Sequence, residues 1–284
     1  MTAGELVLSW GAATHEGLRR RVNEDGFLAG DGVFLVADGM GGHDAGEVAS
    51  ALALEALSPL RDVTRVDPDV VVGLVTAAQA RIRGIDTGPG GRAAGTTLTG
   101  AVVAYQDDVP YWLFVNVGDS RTYLLSGGTL DQVSVDHSEV QQLVDAGLLT
   151  EEEARRHPRR NVVTRALGAD ETPAPDFRYV PVVLDDRLLV CSDGLTVELT
   201  DERITQVLLD HADPQQAAAR LVDEAIAAGG RDNITVVVVD VTGGNDADRT
   251  VTSPRGAWEP DEDTVPSGAS APGRDGSPRA QEDA

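Results

Sequence analysis

Three short apolar runs each end by presenting an aspartate at a turn: Phe34-Leu-Val-Ala-Asp38-Gly39, Phe114-Val-Asn-Val-Gly-Asp119-Ser120 and Leu189-Val-Cys-Ser-Asp193-Gly194. A fourth aspartate, Asp232, opens the run Ile234-Thr-Val-Val-Val-Val239, and Asn23-Glu24-Asp25 adds an acidic element just ahead of Gly26-Phe27-Leu28. A residue at a strand end is rigidly placed yet open at the sheet edge. Glycine after aspartate permits a positive φ and lets its own carbonyl turn toward a ligand. Several carboxylates with one carbonyl make a hard, oxygen-rich donor set of the kind magnesium and manganese take. Any single Asp-Gly pair is equally the ordinary chemistry of a turn, and an acidic excess by itself is more often a solvated surface. The combination of these elements, in order, is what points to a site.

The elements that position these groups are short and mixed. Residues 6–10, 33–37, 97–104, 112–117, 121–125, 187–191 and 234–241 read as strands, being apolar and bounded by Gly or Asp. Residues 45–57, 70–82, 139–146 and 215–228 carry apolar side chains at helical spacing. Pro214 is a favourable first helical residue, and Gly229-Gly230 is a stop. Strands 97–104 and 112–117 are linked by a polar turn. Strands 112–117 and 121–125 are linked by Gly118-Asp119-Ser120, which reads as a second hairpin. Such pairs predict antiparallel sheets with helices outside, an α+β arrangement rather than a doubly wound parallel sheet.

Composition narrows the classes further. The chain has 284 residues and a net charge of -24, and all 23 of its basic Lys/Arg positions are Arg. That acidity repels phosphodiester backbones and argues against nucleic acid as a partner. The single cysteine, Cys191, excludes an internal disulfide and a cysteine-based zinc cage and fits a reducing cytoplasm. The N-terminus lacks a signal-peptide pattern, and no apolar run reaches the ~18 residues of a membrane span. Residues 243–284 are rich in Pro, Gly, Ser, Asp and Ala, with nine acids against four arginines, and read as a disordered tail behind a catalytic domain over 1–242.

In order along the chain stand Arg20-Arg-Val-Asn-Glu-Asp25, Val36-Ala-Asp-Gly-Met-Gly-Gly-His43, Ala94-Gly-Thr-Thr-Leu98, Val117-Gly-Asp-Ser-Arg121, Val135-Asp-His-Ser138, Thr164-Arg-Ala-Leu-Gly168, Ser192-Asp-Gly-Leu195 and Arg231-Asp-Asn-Ile-Thr235. Each segment is weak alone; together they make the chain, over roughly residues 8–241, resemble the bacterial branch of the metal-dependent protein phosphatases of type 2C. The resemblance implies a four-layer α-β-β-α sandwich of two antiparallel β-sheets flanked by helix pairs. It implies hydrolysis of phosphoserine and phosphothreonine in proteins with two or three divalent ions, manganese or magnesium. Carried over by position, Asp38 would bridge two ions, Asp193 and Asp232 would complete one shell, and the Gly39 carbonyl would serve the other, with Asp25 on that ion's waters. Arg20 would hold the substrate phosphate. Asp119 with Asp193 would hold a third ion, and residues 136–168 would contain a variable flap beside the site. Cations sharing Asp38 would lower the pKa of water and supply hydroxide near neutral pH, so no protein nucleophile is needed. The partners implied are phosphorylated proteins, serine/threonine kinases among them, acted on by a monomer.

One departure concerns the acid. Where many eukaryotic members place His after the Asp-Gly, this chain has Met40; His43 follows three positions on and reads as structural, and no general acid is assigned. Competing signals are weaker. A cysteine phosphatase needs Arg six residues after its nucleophile, where Val197 follows Cys191. Asp261-Glu-Asp-Thr-Val265 lacks the buried strand an aspartyl-phosphate enzyme requires. Gly88-Pro-Gly-Gly91 has no P-loop lysine, and the sequon at Asn233 sits on a core strand. The alternative is a catalytically weak binding or regulatory module on the same fold. Such a module would be free to lose Asp38, Asp193 or Asp232, and all three are present beside Arg20.

Overall fold

Strand Val33–Met40 shows how the layers form. Val33, Leu35 and Ala37 belong to one buried cluster, while Phe34 and Val36 belong to another, because successive strand residues point to opposite faces. A strand buried on both faces reads as a continuous apolar run, which is why the alternation is invisible in the sequence. Arg187–Cys191 and Ile234–Gly243 behave alike: Leu188, Val190, Val237 and Val239 face one cluster, and Leu189, Cys191, Val236 and Val238 another.

The computed structural model describes residues 6–41, 45–63, 65–88, 93–169 and 172–243. The chain divides into Met1–Asp246 and Ala247–Ala284, and only the first unit holds described residues. The tail from 244 on, with its Asp261 motif, lies outside them, as do His43 and most of the Gly88 loop.

The strands, in chain order, are β1 (Val7–His15), β2 (Asp25–Gly30), β3 (Val33–Met40), β4 (Gly95–Thr96), β5 (Leu98–Gln106), β6 (Val109–Val117), β7 (Arg121–Ser126), β8 (Thr129–Gln132), β9 (Asp176–Pro181), β10 (Arg187–Cys191) and β11 (Ile234–Gly243). One sheet runs β1-β11-β10-β7-β8, the other β2-β3-β5-β6-β9, with β4 on β3. Every pairing is antiparallel. The helices are α1 (Ala45–Leu57), α2 (Pro68–Arg83), α3 (Glu139–Asp145), α4 (Glu151–Arg156), α5 (Asp193–Thr196), α6 (Asp201–Asp210) and α7 (Pro214–Ala228), with a 3-10 turn at Ser58–Asp62.

Phe34, Trp112, Phe114, Leu188 and Val237 fill the space between the sheets. Leu54, Leu57, Val71 and Val75 of α1 and α2 cover one outer face; Ile204, Val207, Leu221 and Ala225 of α6 and α7 cover the other. The expected four-layer α-β-β-α sandwich is therefore what forms. Helix starts follow local capping: Asp67, Ser138, Thr150, Thr200 and Asp213 each accept a backbone N–H from the first turn.

Two expectations need correction. Residues 112–117 and 121–125 do not pair: β6 lies between β5 and β9, and β7 between β10 and β8, in the opposite sheet. Gly118-Asp119-Ser120 is a crossing between sheets, turned by Gly118 at φ +111°. A short polar link looks the same from either side of that choice; what decides is that each strand already has two other neighbours. By contrast β5 and β6 do form the expected hairpin, closed by Asp107 and Asp108 at φ +49° and +64°, left-handed values that Asp tolerates in a tight turn. Second, no element is read from sequence over β2, β4, β8, β9, α5 or α6. The strands are short, polar or framed by glycine. Helix α6 does carry a signal, Thr200 as cap and Ile204, Val207 and Leu208 on one face.

Cys191 is fully buried in the layer between its sheet and helices α6 and α7, and burial holds its thiol pKa well above the ordinary value. Cys191→Ala is expected to cost about 1–2 kcal/mol in urea unfolding and leave circular dichroism unchanged, since it removes one small buried group. A loss above about 4 kcal/mol would mean the residue does more than pack.

Candidate metal centre

The site assembles where ends of both sheets meet. Asp25 and Asp38 sit opposite each other in the β2–β3 ladder. The backbone of Asp38 is fixed on both sides: its N–H donates to Thr97 Oγ1 at 3.0 Å, and its carbonyl accepts from Thr97 N at 2.9 Å and Thr96 Oγ1 at 2.9 Å. Thr97 Oγ1 lies 2.7 Å from Ser120 Oγ, which ties Asp38 to the crossing that carries Asp119. Asp193 opens α5 with one residue, Ser192, between it and β10, and its carboxyl interacts with that of Asp38. Asp232 precedes β11; its Oδ1 accepts from Asn233 N at 2.8 Å and its Oδ2 from Arg20 Nη2 at 2.7 Å.

The glycines after Asp38 and Asp193 are there for close approach rather than for positive φ, which neither adopts. A Cβ on Gly39 would lie 2.3 Å from the Gly46 carbonyl oxygen, and one on Gly194 1.9 Å from that of Asn233.

Charge defines the chemistry. Asp25, Asp38 and Asp193 keep a partly open surface, yet protein surrounds each closely enough for burial to be the leading effect on its carboxyl. Burial, with repulsion from Asp193 and Asp232, pushes Asp25 up to about 7 against the bonds it accepts. Burial and Asp193 push Asp119 up to about 8, and burial and Asp232 push Asp193 up to about 6. Asp38, desolvated and facing Asp25, Asp193, Asp119 and Asp232, stands well above the carboxylate range. Cationic relief is scarce. Arg121 is committed to Asp136, with Nε at 3.0 Å and Nη2 at 2.7 Å. Burial opposes the charge of Arg20, but Asp232, Glu24 and Asp38 outweigh it and raise its pKa.

The donor set fits hard divalent ions. Asp25 accepts Ser192 Oγ at 2.7 Å on Oδ2, while its buried Oδ1 has no hydrogen-bond partner. Among the described residues no three His, Cys, Asp or Glu side chains stand close enough together to hold one ion by themselves. An open, all-oxygen set suits an ion that keeps several of its waters, as magnesium does, and not a four-ligand zinc-type site.

The structure thus brings Asp25, Asp38, Gly39, Asp119, Asp193, Asp232 and Arg20 to one edge, with Arg20 paired to Asp232. Met40 is half-buried beside Gly95. Residues 136–168 contain α3 and α4 and are bridged to the body at Thr96–Leu167. Sequence reasoning missed the supports: Ser192, Thr97, the carbonyl of Glu24, which accepts from Gly39 N at 3.2 Å and Ser50 Oγ at 2.6 Å, and Asn233. Their only signal was position inside the quoted segments.

The architecture agrees with the comparisons: the chain belongs to the protein phosphatase 2C family, whose model matches residues 22–234. It is 40% identical over 279 residues to the serine/threonine protein phosphatase PstP of Mycobacterium tuberculosis, covering 95% of this chain and 52% of that protein. The chain thus spans about half the length of that relative. The serine/threonine phosphatase stp of Listeria monocytogenes is 34% identical over 226 residues, 73% of this chain and 84% of that protein. The crystal structure of M. tuberculosis PstP/Ppp superposes with a TM-score of 0.78 at 39% identity, covering 84% of this chain and all, 100%, of that one. A structure of the PstP catalytic domain in complex with two manganese ions gives 0.73 at 38% identity over 84% of this chain and 100% of that one.

Raised carboxyl pKa values set two expectations. In the metal-free protein the folded state holds protons that the unfolded chain has lost, so this cluster's contribution to stability declines as pH rises from about 4 toward 8. Asp38→Asn removes one repelling charge and is expected to stabilise the metal-free protein at pH 8 by on the order of 1–2 kcal/mol while weakening manganese binding. Thermal melts with and without manganese check both. Manganese binding to the wild type should release protons at pH 7 and fewer at pH 9, read by calorimetry in buffers of different ionisation enthalpy.

Proposed function

We propose that this chain hydrolyses phosphoserine and phosphothreonine in proteins with two or three divalent ions, manganese or magnesium, at this edge. The observation that carries the reading is the gathering of Asp25, Asp38, Asp119, Asp193 and Asp232, their carboxyls shifted upward where a shift is resolved, beside the arginine pair Arg20–Asp232. Asp38, Asp193 and Asp232 would hold one ion, Asp38 and the Gly39 carbonyl a second, with Asp25 on its waters. Asp119 with Asp193 would hold a third. When bound, the ions would supply an activated water and neutralise phosphoryl charge.

The chain's own residues do the positioning. Asp38 is held on a strand end by Thr96 and Thr97, so its carboxylate is placed before any ion arrives. Arg20 engages Asp232 through Nη2 alone, and the rest of its planar fork is suited to two phosphoryl oxygens. Cys191 takes no part, being sealed in the core as a neutral thiol. Substrates on this reading are phosphorylated proteins, serine/threonine kinases included, in the cytoplasm.

Phosphate release from a phosphothreonine peptide should require manganese or magnesium and stop in EDTA; full turnover in EDTA would overturn the mechanism. Asp193→Asn should lower kcat/KM by several orders of magnitude, because it removes charge that holds the ions. Asp119→Ala should leave two ions bound by calorimetric count yet slow turnover and flatten its rise at high metal concentration. Wild-type kinetics in that variant at every concentration would make Asp119 only a crossing residue.

A further inference from the structure

Asn233 is 4% exposed and satisfies both ends of its side chain. Oδ1 accepts from Glu24 N at 2.9 Å, and Nδ2 donates to the carbonyls of Glu16 and Val22, each at 3.0 Å. The orientation of the amide is fixed by these partners, since the reverse would set an NH2 against an N–H and an oxygen against two carbonyls. Glu16 and Val22 are the two ends of the loop that carries Arg20. The middle of that loop is held by Leu18 N to Gly230 O at 2.6 Å, and a Cβ on Gly17 would lie 2.1 Å from the Asp232 carbonyl oxygen. Arg20 then reaches Asp232, the residue directly before Asn233. One buried amide therefore closes the Arg20 loop onto the strand that bears a proposed metal ligand, and through Glu24 N onto the segment entering Asp25.

We infer that Asn233 is a positioning residue that sets Arg20 in register with the carboxylates, and so governs affinity for the phosphoryl group rather than for metal. The inference rests on the proposed phosphate role of Arg20. A guanidinium on a long side chain is useful only if its root is fixed, and a misplacement of about 1 Å costs on the order of a hundredfold in the worst case.

The test measures kcat and KM on a phosphothreonine peptide, inhibition by inorganic phosphate, and manganese affinity, in the wild type, Arg20→Ala, Asn233→Ala and the double variant. Asn233→Ala should raise KM and the phosphate inhibition constant about tenfold, as Arg20→Ala does, with manganese affinity within about twofold of wild type. In the Arg20→Ala background Asn233→Ala should add less than about twofold, because the two act as one unit. Wild-type KM and phosphate inhibition in a folded Asn233→Ala overturn the inference. So does a tenfold loss that persists without Arg20, or a parallel loss of manganese affinity, which would place the effect on Asp232. If Arg20→Ala alone leaves KM and phosphate inhibition unchanged, the phosphate role of Arg20 is what fails, whatever Asn233 does. Should Asn233→Ala not fold, Asn233→Ser takes its place; failure of both to fold would make Asn233 a folding residue and end the proposal.

Discussion

The rest of the structure answers to one repulsion: carboxylates from five separate segments are forced together at a sheet edge with little cationic relief. Left to themselves, Asp25, Asp38, Asp119, Asp193 and Asp232 would separate. Burial first and mutual repulsion second raise the proton affinities of Asp25, Asp38, Asp119 and Asp193, and the fold holds them in place against both. The opposing force is packing elsewhere. Each acid is at the end of, or beside, a strand whose body lies between two apolar layers, so an acid can move only if a core strand moves. Stability bought in the sandwich is thereby spent at its edge, where cations can recover it.

Holding the acids requires backbone surfaces to approach more closely than side chains permit. Gly39 and Gly194 serve that need, and the hydroxyls of Thr97, Ser120 and Ser192 fill the gaps between strand ends. The same logic continues outward. Gly118 donates its N–H to His137 Nδ1 at 3.1 Å and accepts from His137 N at 2.8 Å, so the start of the flap is latched to the crossing that carries Asp119. His137 Nε2 then meets Asp176 at 3.0 Å, and Arg165 from the far end of the flap meets the same carboxylate at 2.9 Å. At the other end Gln79 bonds Gly168 N and the Ala169 carbonyl, each at 2.6 Å, anchoring the flap's exit to α2. Both ends of the flap are thus pinned to the body while α3 and α4 lie between them.

The sequence by itself determined the donor types, their attachment to strand ends and the antiparallel α+β class, because those follow from local patterns: apolar runs, Asp at their ends, Gly beside Asp. It also located α1, α2, α3 and α7 closely, since capping and helical spacing are local physics. The resemblance carried by the quoted segments extended this to the layered sandwich. What only the tertiary structure decided was which strand neighbours which. The link Gly118-Asp119-Ser120 reads as a hairpin in sequence but passes between sheets, because β6 and β7 each have other partners on both sides. It also decided that Arg20 meets Asp232, 212 positions away, and that Asn233 closes the loop between them. A one-dimensional pattern records what a residue can bond; which bond forms is fixed only when distant segments compete for the same small volume.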